Sequence, residues 1–116
     1  MTVPKIIFSD KILNRLSLFI KIAGITLWPY IILREKYKAH YRTPIIIRHE
    51  TIHIKQQQEM LVIPFYTWYV LEWFIKLFKY GKKSYYNISF EREAYENEKD
   101  ESYLENRKRF SWLKYL

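Results

Sequence analysis

The spacing of apolar residues divides the N-terminal third of the chain into a helical and an extended stretch. Between residues 11 and 23 the apolar side chains recur every three or four positions, which predicts a short amphipathic helix. Residues 24–34 are rich in β-branched side chains and are interrupted at Trp28-Pro29, so they predict short strands. The polar residues 35–42 are predicted to be a connection.

Capping residues predict three further helices. One begins at Thr43-Pro44, because threonine caps free backbone N–H groups and proline in the first turn loses no hydrogen bond, and it runs to about Val62. A second begins at Pro64 and ends at Gly81. The third begins near Ser89 and continues to about residue 108, which leaves residues 110–116 as a tail that either docks or frays. We therefore expect a mostly helical α+β fold with a short N-terminal sheet.

Composition sets the size and the class of the protein. The chain has 116 residues, which suits a single domain over residues 1–116, and its 49% hydrophobic content excludes intrinsic disorder. It has no cysteine, so thiolate metal sites, disulfides and cysteine nucleophiles are excluded, and any metal site must use histidine and carboxylate. The net charge is +8, with the basic excess in the first 42 residues, but no nucleic-acid-binding motif accompanies it. Nucleic acid is therefore not an expected partner.

Residues 16–33 form the longest apolar stretch and decide the expected location. Its length would allow a membrane span, but Lys21 interrupts it and its β-branched residues favour buried strands. A cleaved signal peptide is disfavoured too, because no small-residue cleavage site follows an uninterrupted apolar run. We expect a cytoplasmic protein.

One motif could support catalysis: His49-Glu50-Thr51-Ile52-His53, an H-E-x-x-H pattern inside the helix predicted from Thr43-Pro44. Residues four apart lie on one face of a helix, so both imidazoles can bind one Zn²⁺. Glu50, next to the first histidine, is placed to take a proton from a water at the metal and so to act as general base. The alternative is a solvated helix face on which these side chains pair with Arg48 or Lys55. The apolar residues around the motif favour the zinc site.

A catalytic zinc takes three protein ligands and leaves one position open, so a third ligand must come from elsewhere. The candidates are His40, Glu59, Glu72, Glu91 and Glu93. His40 is expected at the surface, and Glu59 lies too far along its helix from His53 to share the ion. Glu91 shares a helix face with Ala94, whose small side chain allows close approach to the motif helix, whereas Glu93 is expected to face solvent. We expect Glu91 as the third ligand, with Glu93 as the alternative.

Two segments together resemble a known class. The H-E-x-x-H motif with Phe90-Glu91-Arg92-Glu93-Ala94-Tyr95 resembles the gluzincin zinc metallopeptidases, in which a glutamate on a later helix completes the site. The later segment is similar to the E-x-x-A-D motif of the membrane-bound prenyl-protein endopeptidases, whose first glutamate binds zinc and corresponds to Glu91. Because Gln56-Gln57 follow it, the first motif also resembles the short zincin-like domains of bacterial proteins with no assigned substrate.

The resemblance implies a zincin-like core and a zinc-dependent peptidase or amidase that acts on a peptide or protein. Its metal ligands would be His49, His53 and Glu91, with Glu50 as general base and an edge strand within residues 26–34 pairing with the substrate backbone. One position departs: Tyr95 stands where the family has aspartate, so carboxylate support for a ligand must come from elsewhere, and Glu98 is the candidate. Neither the oxyanion-stabilising residue nor the oligomeric state follows from the sequence.

The alternative function is a non-catalytic, zinc-stabilised interaction or membrane-surface module. The small size and the missing aspartate favour that alternative, whereas the presence of Glu50 favours catalysis, because a structural zinc needs no base. The aromatic helix over residues 65–80 has two corresponding interpretations. We expect Trp68, Tyr69, Trp73, Phe74 and Phe78 to cover the zinc helix as core. Otherwise they form a surface for a partner or an anionic membrane, flanked by Lys76, Lys79, Lys82 and Lys83.

Overall fold

A computed structural model describes residues 4–16 and 24–116 of the chain. The helices and strands follow in the order β1 (Lys5–Phe8), α1 (Asp10–Leu16), β2 (Gly24–Leu27), β3 (Tyr30–Leu33), α2 (Thr43–Met60), α3 (Val62–Tyr80), α4 (Ser89–Asn97) and α5 (Tyr103–Asn106). Short 3₁₀ helices occupy Glu35–Ala39, Gly81–Lys83, Tyr85–Asn87 and Ser111–Tyr115. The protein is thus mostly helical with one small sheet, which confirms the predicted α+β class.

The three strands form a mixed sheet in the order β1-β3-β2. β2 and β3 are antiparallel and are joined by the turn at Trp28-Pro29, as the sequence predicts, while β1 runs parallel to β3. The sequence analysis did not identify β1. Of the helix predicted over residues 11–23, α1 accounts for the first part, and residues 17–23 lie outside the described residues.

The two long helices meet at a sharp corner. α2 begins at Thr43, as predicted, and ends at Met60, and Leu61 then adopts a positive φ of 66° that turns the chain by 110° into α3. α3 begins two residues before Pro64, which is tolerated in a first helical turn because N–H groups there lack intrahelical partners. It ends at Tyr80 and is followed by the predicted capping residue Gly81, whose φ of 56° suits glycine.

The last predicted helix is broken in the structure. α4 ends at Asn97 and α5 begins only at Tyr103, so the prediction of one helix to about residue 108 is wrong. In the gap, the Asp100 carboxylate accepts hydrogen bonds from the backbone N–H and the hydroxyl of Ser102. Such local side-chain bonds offer the backbone an alternative to helix, and the charged residues 98–101 give no apolar face to bury.

Helix α2 lies between two apolar clusters that form the core. On the sheet side Ile54 packs with Ile31 and Leu33. The other cluster joins Phe65 of α3, Ile88 and Phe90 near the start of α4, and Trp112 of the C-terminal segment. The ring centroids of Phe90 and Trp112 are 4.7 Å apart, so the tail docks.

Helix α3 does not cover the zinc-motif helix in the way we predicted. Trp68, Trp73, Phe74 and Phe78 are exposed, and of the five aromatic residues expected in the core only Tyr69 turns inward. The reason is the corner at Leu61, which carries α3 away from α2. Among the described residues no single helix is long and apolar enough to cross a membrane, and α2 and α3 pass that test only together, across their 110° bend.

Candidate metal centre

The two motif histidines lie one turn apart on the buried side of α2. Their side chains are almost fully enclosed, and their ring centroids are 5.0 Å apart. α4 packs against the same side of α2, and the absence of a side chain beyond Cβ at the buried Ala94 allows the close approach. The placement brings His49, His53 and Glu91 together.

Glu91 stands between the two imidazoles. Its Oε1 atom is 3.0 Å from Nε2 of His49 and 3.0 Å from Nε2 of His53. One donor atom from each of the three residues lies within 4.8 Å of the others. Around a tetrahedral zinc with bonds of about 2.0–2.1 Å, ligand atoms are separated by about 3.3 Å. Two imidazole nitrogens and one carboxylate oxygen at these distances therefore fit a zinc site with a fourth position left for water.

The three residues of this cluster are coupled by charge. Burial lowers the pKa of His49, but its hydrogen bonds to Glu91 and Glu98 outweigh that effect and raise the pKa to about 10. The pKa of His53 is also raised, because the Glu91 carboxylate overcomes the effect of burial. Burial would raise the pKa of Glu91, yet the two imidazolium groups hold it well below its usual range. A divalent cation would take the place of these protons.

The outer nitrogen of His53 is fixed by a glutamine. Nδ1–H of His53 donates to Oε1 of Gln56 at 2.7 Å, which leaves Nε2 facing Glu91. Nε2 of Gln56 in turn donates to the Phe90 carbonyl at 3.1 Å and to Glu93 at 3.0 Å. This chain of bonds sets the imidazole orientation and links α2 to α4 behind the site.

Glu93 is buried, and the prediction that it faces solvent is wrong. It is 0% exposed, and its carboxylate accepts hydrogen bonds from the Arg107 guanidinium at 2.5 Å and the Tyr103 hydroxyl at 2.6 Å. Glu93 is buried because α4 is covered on two sides, by α2 and by the chain that follows α4. Arg107 also binds Glu59 at 2.9 Å, so both carboxylates are held away from the histidines.

The remaining candidates have other partners. His40 stacks on Tyr41 at a centroid distance of 4.7 Å, and its Nδ1 accepts the N–H of Arg42. Glu72 of α3 is buried against the start of α4, and its carboxylate accepts hydrogen bonds from the backbone N–H and the hydroxyl of Ser89. Neither residue belongs to the cluster formed within residues 4–16 and 24–116.

Near His49 the structure places both Tyr95 and Glu98. The Tyr95 ring lies edge-on to the imidazole at a centroid distance of 4.5 Å. Oε2 of Glu98 is 3.6 Å from Nδ1 of His49, on the side away from Glu91. A carboxylate therefore faces the outer nitrogen of this histidine, from a position one turn beyond the tyrosine.

Glu50 is held from the edge of the sheet. It is 9% exposed, and the Thr26 hydroxyl donates to its Oε2 atom at 2.5 Å. The sequence analysis gave Thr26 no role, although a hydroxyl in the middle of the apolar strand β2 was an available signal.

Tyr69 is the second residue whose role the sequence analysis missed. Its hydroxyl donates to Oε2 of Glu91 at 2.6 Å, so both oxygens of this carboxylate are engaged. Burial and the charge of Glu91 hold the pKa of Tyr69 well above its usual value, so the phenol stays a donor. Its spacing from Phe65 and Glu72 places all three on one face of α3, which could have indicated its direction.

A cleft of about 840 Å³ opens onto His49 and Glu50. Aromatic side chains dominate its walls, including five tyrosines: Tyr37, Tyr41, Tyr85, Tyr86 and Tyr95. Arg42 and Lys82 are among the charged residues that line it. Gly24 of the edge strand β2 also lines it. Of the four site residues His49, Glu50, His53 and Glu91, the first two are therefore reachable from solvent through an aromatic cleft of ligand size.

Comparison with known proteins gives no identity. No family model, no curated protein and no solved structure matches the chain. The activity of the protein must therefore be inferred from the residues of the site.

Proposed function

We propose that the protein is a zinc-dependent hydrolase of peptide or amide bonds with a zincin-like core. The observation that carries the proposal is the convergence of two imidazole Nε2 atoms on one carboxylate oxygen, beside a cleft that is lined by His49 and Glu50. His49, His53 and Glu91 would hold the ion. Zinc bound there supplies a Lewis acid for the scissile carbonyl and lowers the pKa of water to about 7.

Glu50 is the general base of the proposed reaction. The Thr26 hydroxyl occupies Oε2 of this carboxylate, so we assign proton transfer to Oε1. Glu50 accepts a proton from the attacking water and then passes it to the leaving amine. Thr26 fixes the orientation of Glu50 from a different element, the sheet, and its Oγ1 atom also lies 3.2 Å from the Glu50 backbone carbonyl, so the base is tied to both α2 and β2.

Tyr85 is the proposed donor to the oxyanion. The hydroxyls of Tyr66 and Tyr69 donate to the Thr26 carbonyl and to Glu91, whereas Tyr85 lines the cleft together with His49, Glu50 and its own hydrogen-bond partner Tyr95. Burial and the negative charge of Glu91 raise the pKa of Tyr85, so its phenol stays protonated at neutral pH. In the proposed reaction this neutral phenol exchanges its bond to Tyr95 for one to the carbonyl oxygen and stabilises negative charge there.

The substrate backbone is proposed to pair with β2. This strand lies at the edge of the sheet, packs against α2, and lines the cleft at Gly24. Gln57 binds the Thr26 carbonyl and the Trp28 N–H at the other end of the strand. Pairing with an extended peptide is therefore assigned to the Gly24 end.

A peptide-library digest with zinc-loaded protein tests the function. We expect Glu50→Gln to keep one zinc per chain and to lose at least about 10²-fold in turnover, the scale on which general bases act. The exposed acid Glu96 provides a matched control, and Glu96→Gln should keep both zinc and turnover. Equal cleavage by wild type and Glu50→Gln, with zinc present in both, would overturn the proposal and favour the non-catalytic module.

A further inference from the structure

The outer face of α3 is an apolar surface that is interrupted by one exposed polar residue, Thr67. Six exposed apolar residues recur there at helical spacing. The first, Ile63, is 79% exposed and the last, Phe78, is 83% exposed, and the other four are Val70, Leu71, Phe74 and Ile75. We name these six residues the α3 stripe. At 1.5 Å per residue the stripe is about 22 Å long. Soluble proteins seldom leave an apolar surface of this extent uncovered, which marks it as a docking face.

The helix that carries the stripe is firmly held on its opposite side. Phe65 is buried in the core, and the buried Glu72 bonds to Ser89 of α4 and to Lys76. The exposure of the stripe therefore does not come from a loosely attached helix. The protein presents a rigid helix, with its apolar side outward.

Charge at one end of the stripe indicates the occupant. Lys79, Lys82 and Lys83 are exposed where α3 ends, and Glu72, which is buried, is the only acid in Val62–Lys83. Trp68 and Trp73 flank the stripe and are partly exposed. Apolar side chains bordered by tryptophan and lysine match the acyl chains, the interface and the phosphates of an anionic bilayer, in that order.

We propose that the α3 stripe docks on the surface of an anionic lipid bilayer, with α3 lying in the plane of the interface. A second copy of the chain fits the same face less well, because it would bring three further lysines and no exposed carboxylate within Val62–Lys83. The helix lies on the bilayer and does not cross it, since Glu72 and Lys76 on its inner side are packed against the start of α4.

Vesicle co-sedimentation of the full chain tests the proposal. The probes are vesicles of phosphatidylcholine alone and vesicles with about a third phosphatidylglycerol, which carry a negative surface potential. We expect binding to the anionic vesicles that weakens with salt. Lys82→Gln with Lys83→Gln should weaken it at least tenfold, at about fivefold per lysine, and Phe74→Ser with Phe78→Ser should abolish it.

Two variants on α1 serve as matched controls. Lys11→Gln and Ile12→Ser alter exposed residues of α1, which packs against the sheet, and should leave vesicle binding unchanged. Far-ultraviolet circular dichroism and zinc content show whether each variant is folded. Absence of vesicle binding by the folded wild type overturns the proposal. So does a lipid-free dimer in analytical ultracentrifugation that Phe74→Ser with Phe78→Ser dissociates, because a second copy would then cover the stripe.

Discussion

At the scale of single residues, the site depends on one carboxylate with both oxygens engaged. Oε1 of Glu91 faces the two imidazoles and Oε2 accepts the Tyr69 hydroxyl, so the carboxylate has little freedom to rotate. Loss of a group that holds a metal ligand in orientation typically lowers metal affinity by about 10–100-fold. Tyr69 is thus a positioning residue for the proposed zinc, although it has no contact with the ion's position.

Removal of the Tyr69 hydroxyl should weaken zinc binding. We expect Tyr69→Phe to lower zinc affinity by about 10–100-fold in a chelator competition, because Glu91 would lose the bond that fixes its second oxygen. Tyr41→Phe, at the most exposed tyrosine of the described chain, is the control and should bind zinc as wild type does. If the affinity of Tyr69→Phe matched that of this control, Tyr69 would have no positioning role.

At the scale of elements, α4 is held at its start and in its middle by charged groups from other parts of the chain. Glu72 of α3 caps its first turn, and Arg107, beyond α5, binds Glu93 of α4 and Glu59 of α2. Burial lowers the pKa of Arg107, but the bonds to the two carboxylates outweigh that and raise it. The proposed third ligand is therefore carried by a helix whose position depends on residues outside the proposed metal site.

Loss of the Arg107 charge should destabilise the fold. Arg107→Met removes the guanidinium that binds both the Glu59 and the Glu93 carboxylate, and removal of one partner from a buried ion pair costs about 3–5 kcal/mol. Urea unfolding in the presence of chelator measures this free energy for the metal-free protein. Arg109→Met, at an exposed position nearby, should change stability by less than about 0.5 kcal/mol. A loss below about 1 kcal/mol for Arg107→Met would contradict the assigned role.

The same elements show how far the sequence alone could predict the structure. The start of α2 at Thr43-Pro44, the hairpin turn at Trp28-Pro29 and the choice of Glu91 beside Ala94 were accessible, because each depends on local spacing and capping. The burial of Glu93 was not, since its partner Arg107 is 14 residues further along and is brought back only by the break before α5. β1 was missed for a similar reason, because its strand partner β3 lies beyond α1 and residues 17–23.

At the scale of the whole molecule, the proposed zinc joins two layers. α2 packs on the sheet with one side and on α4 with the other, and the ligands come from both of these helices. An ion that bridges them binds the folded state and has no equivalent site in the unfolded chain. Zinc should therefore stabilise the entire domain.

Zinc addition should raise the melting temperature. At a free concentration a hundred times Kd, binding adds about 2.7 kcal/mol, which corresponds to a shift of roughly 10 °C for a domain of this size. Calorimetry with and without chelator measures it. His53→Ala should abolish the shift, whereas His40→Ala, at the histidine that stacks on Tyr41, should keep it. A zinc-dependent shift that persisted in His53→Ala would contradict the assigned ligand set.

The separation of the ligands along the chain also sets the order in which the site is completed during synthesis. His49, Glu50 and His53 emerge together, but Glu91 follows 42 residues after His49, and Arg107 follows 14 residues after Glu93. A nascent or truncated chain that ends before α4 carries the entire H-E-x-x-H motif but only two of the three proposed ligands. In the proposed zinc site, metal acquisition would therefore be a late event, coupled to the docking of α4 and the C-terminal segment, and truncated chains would compete poorly for zinc.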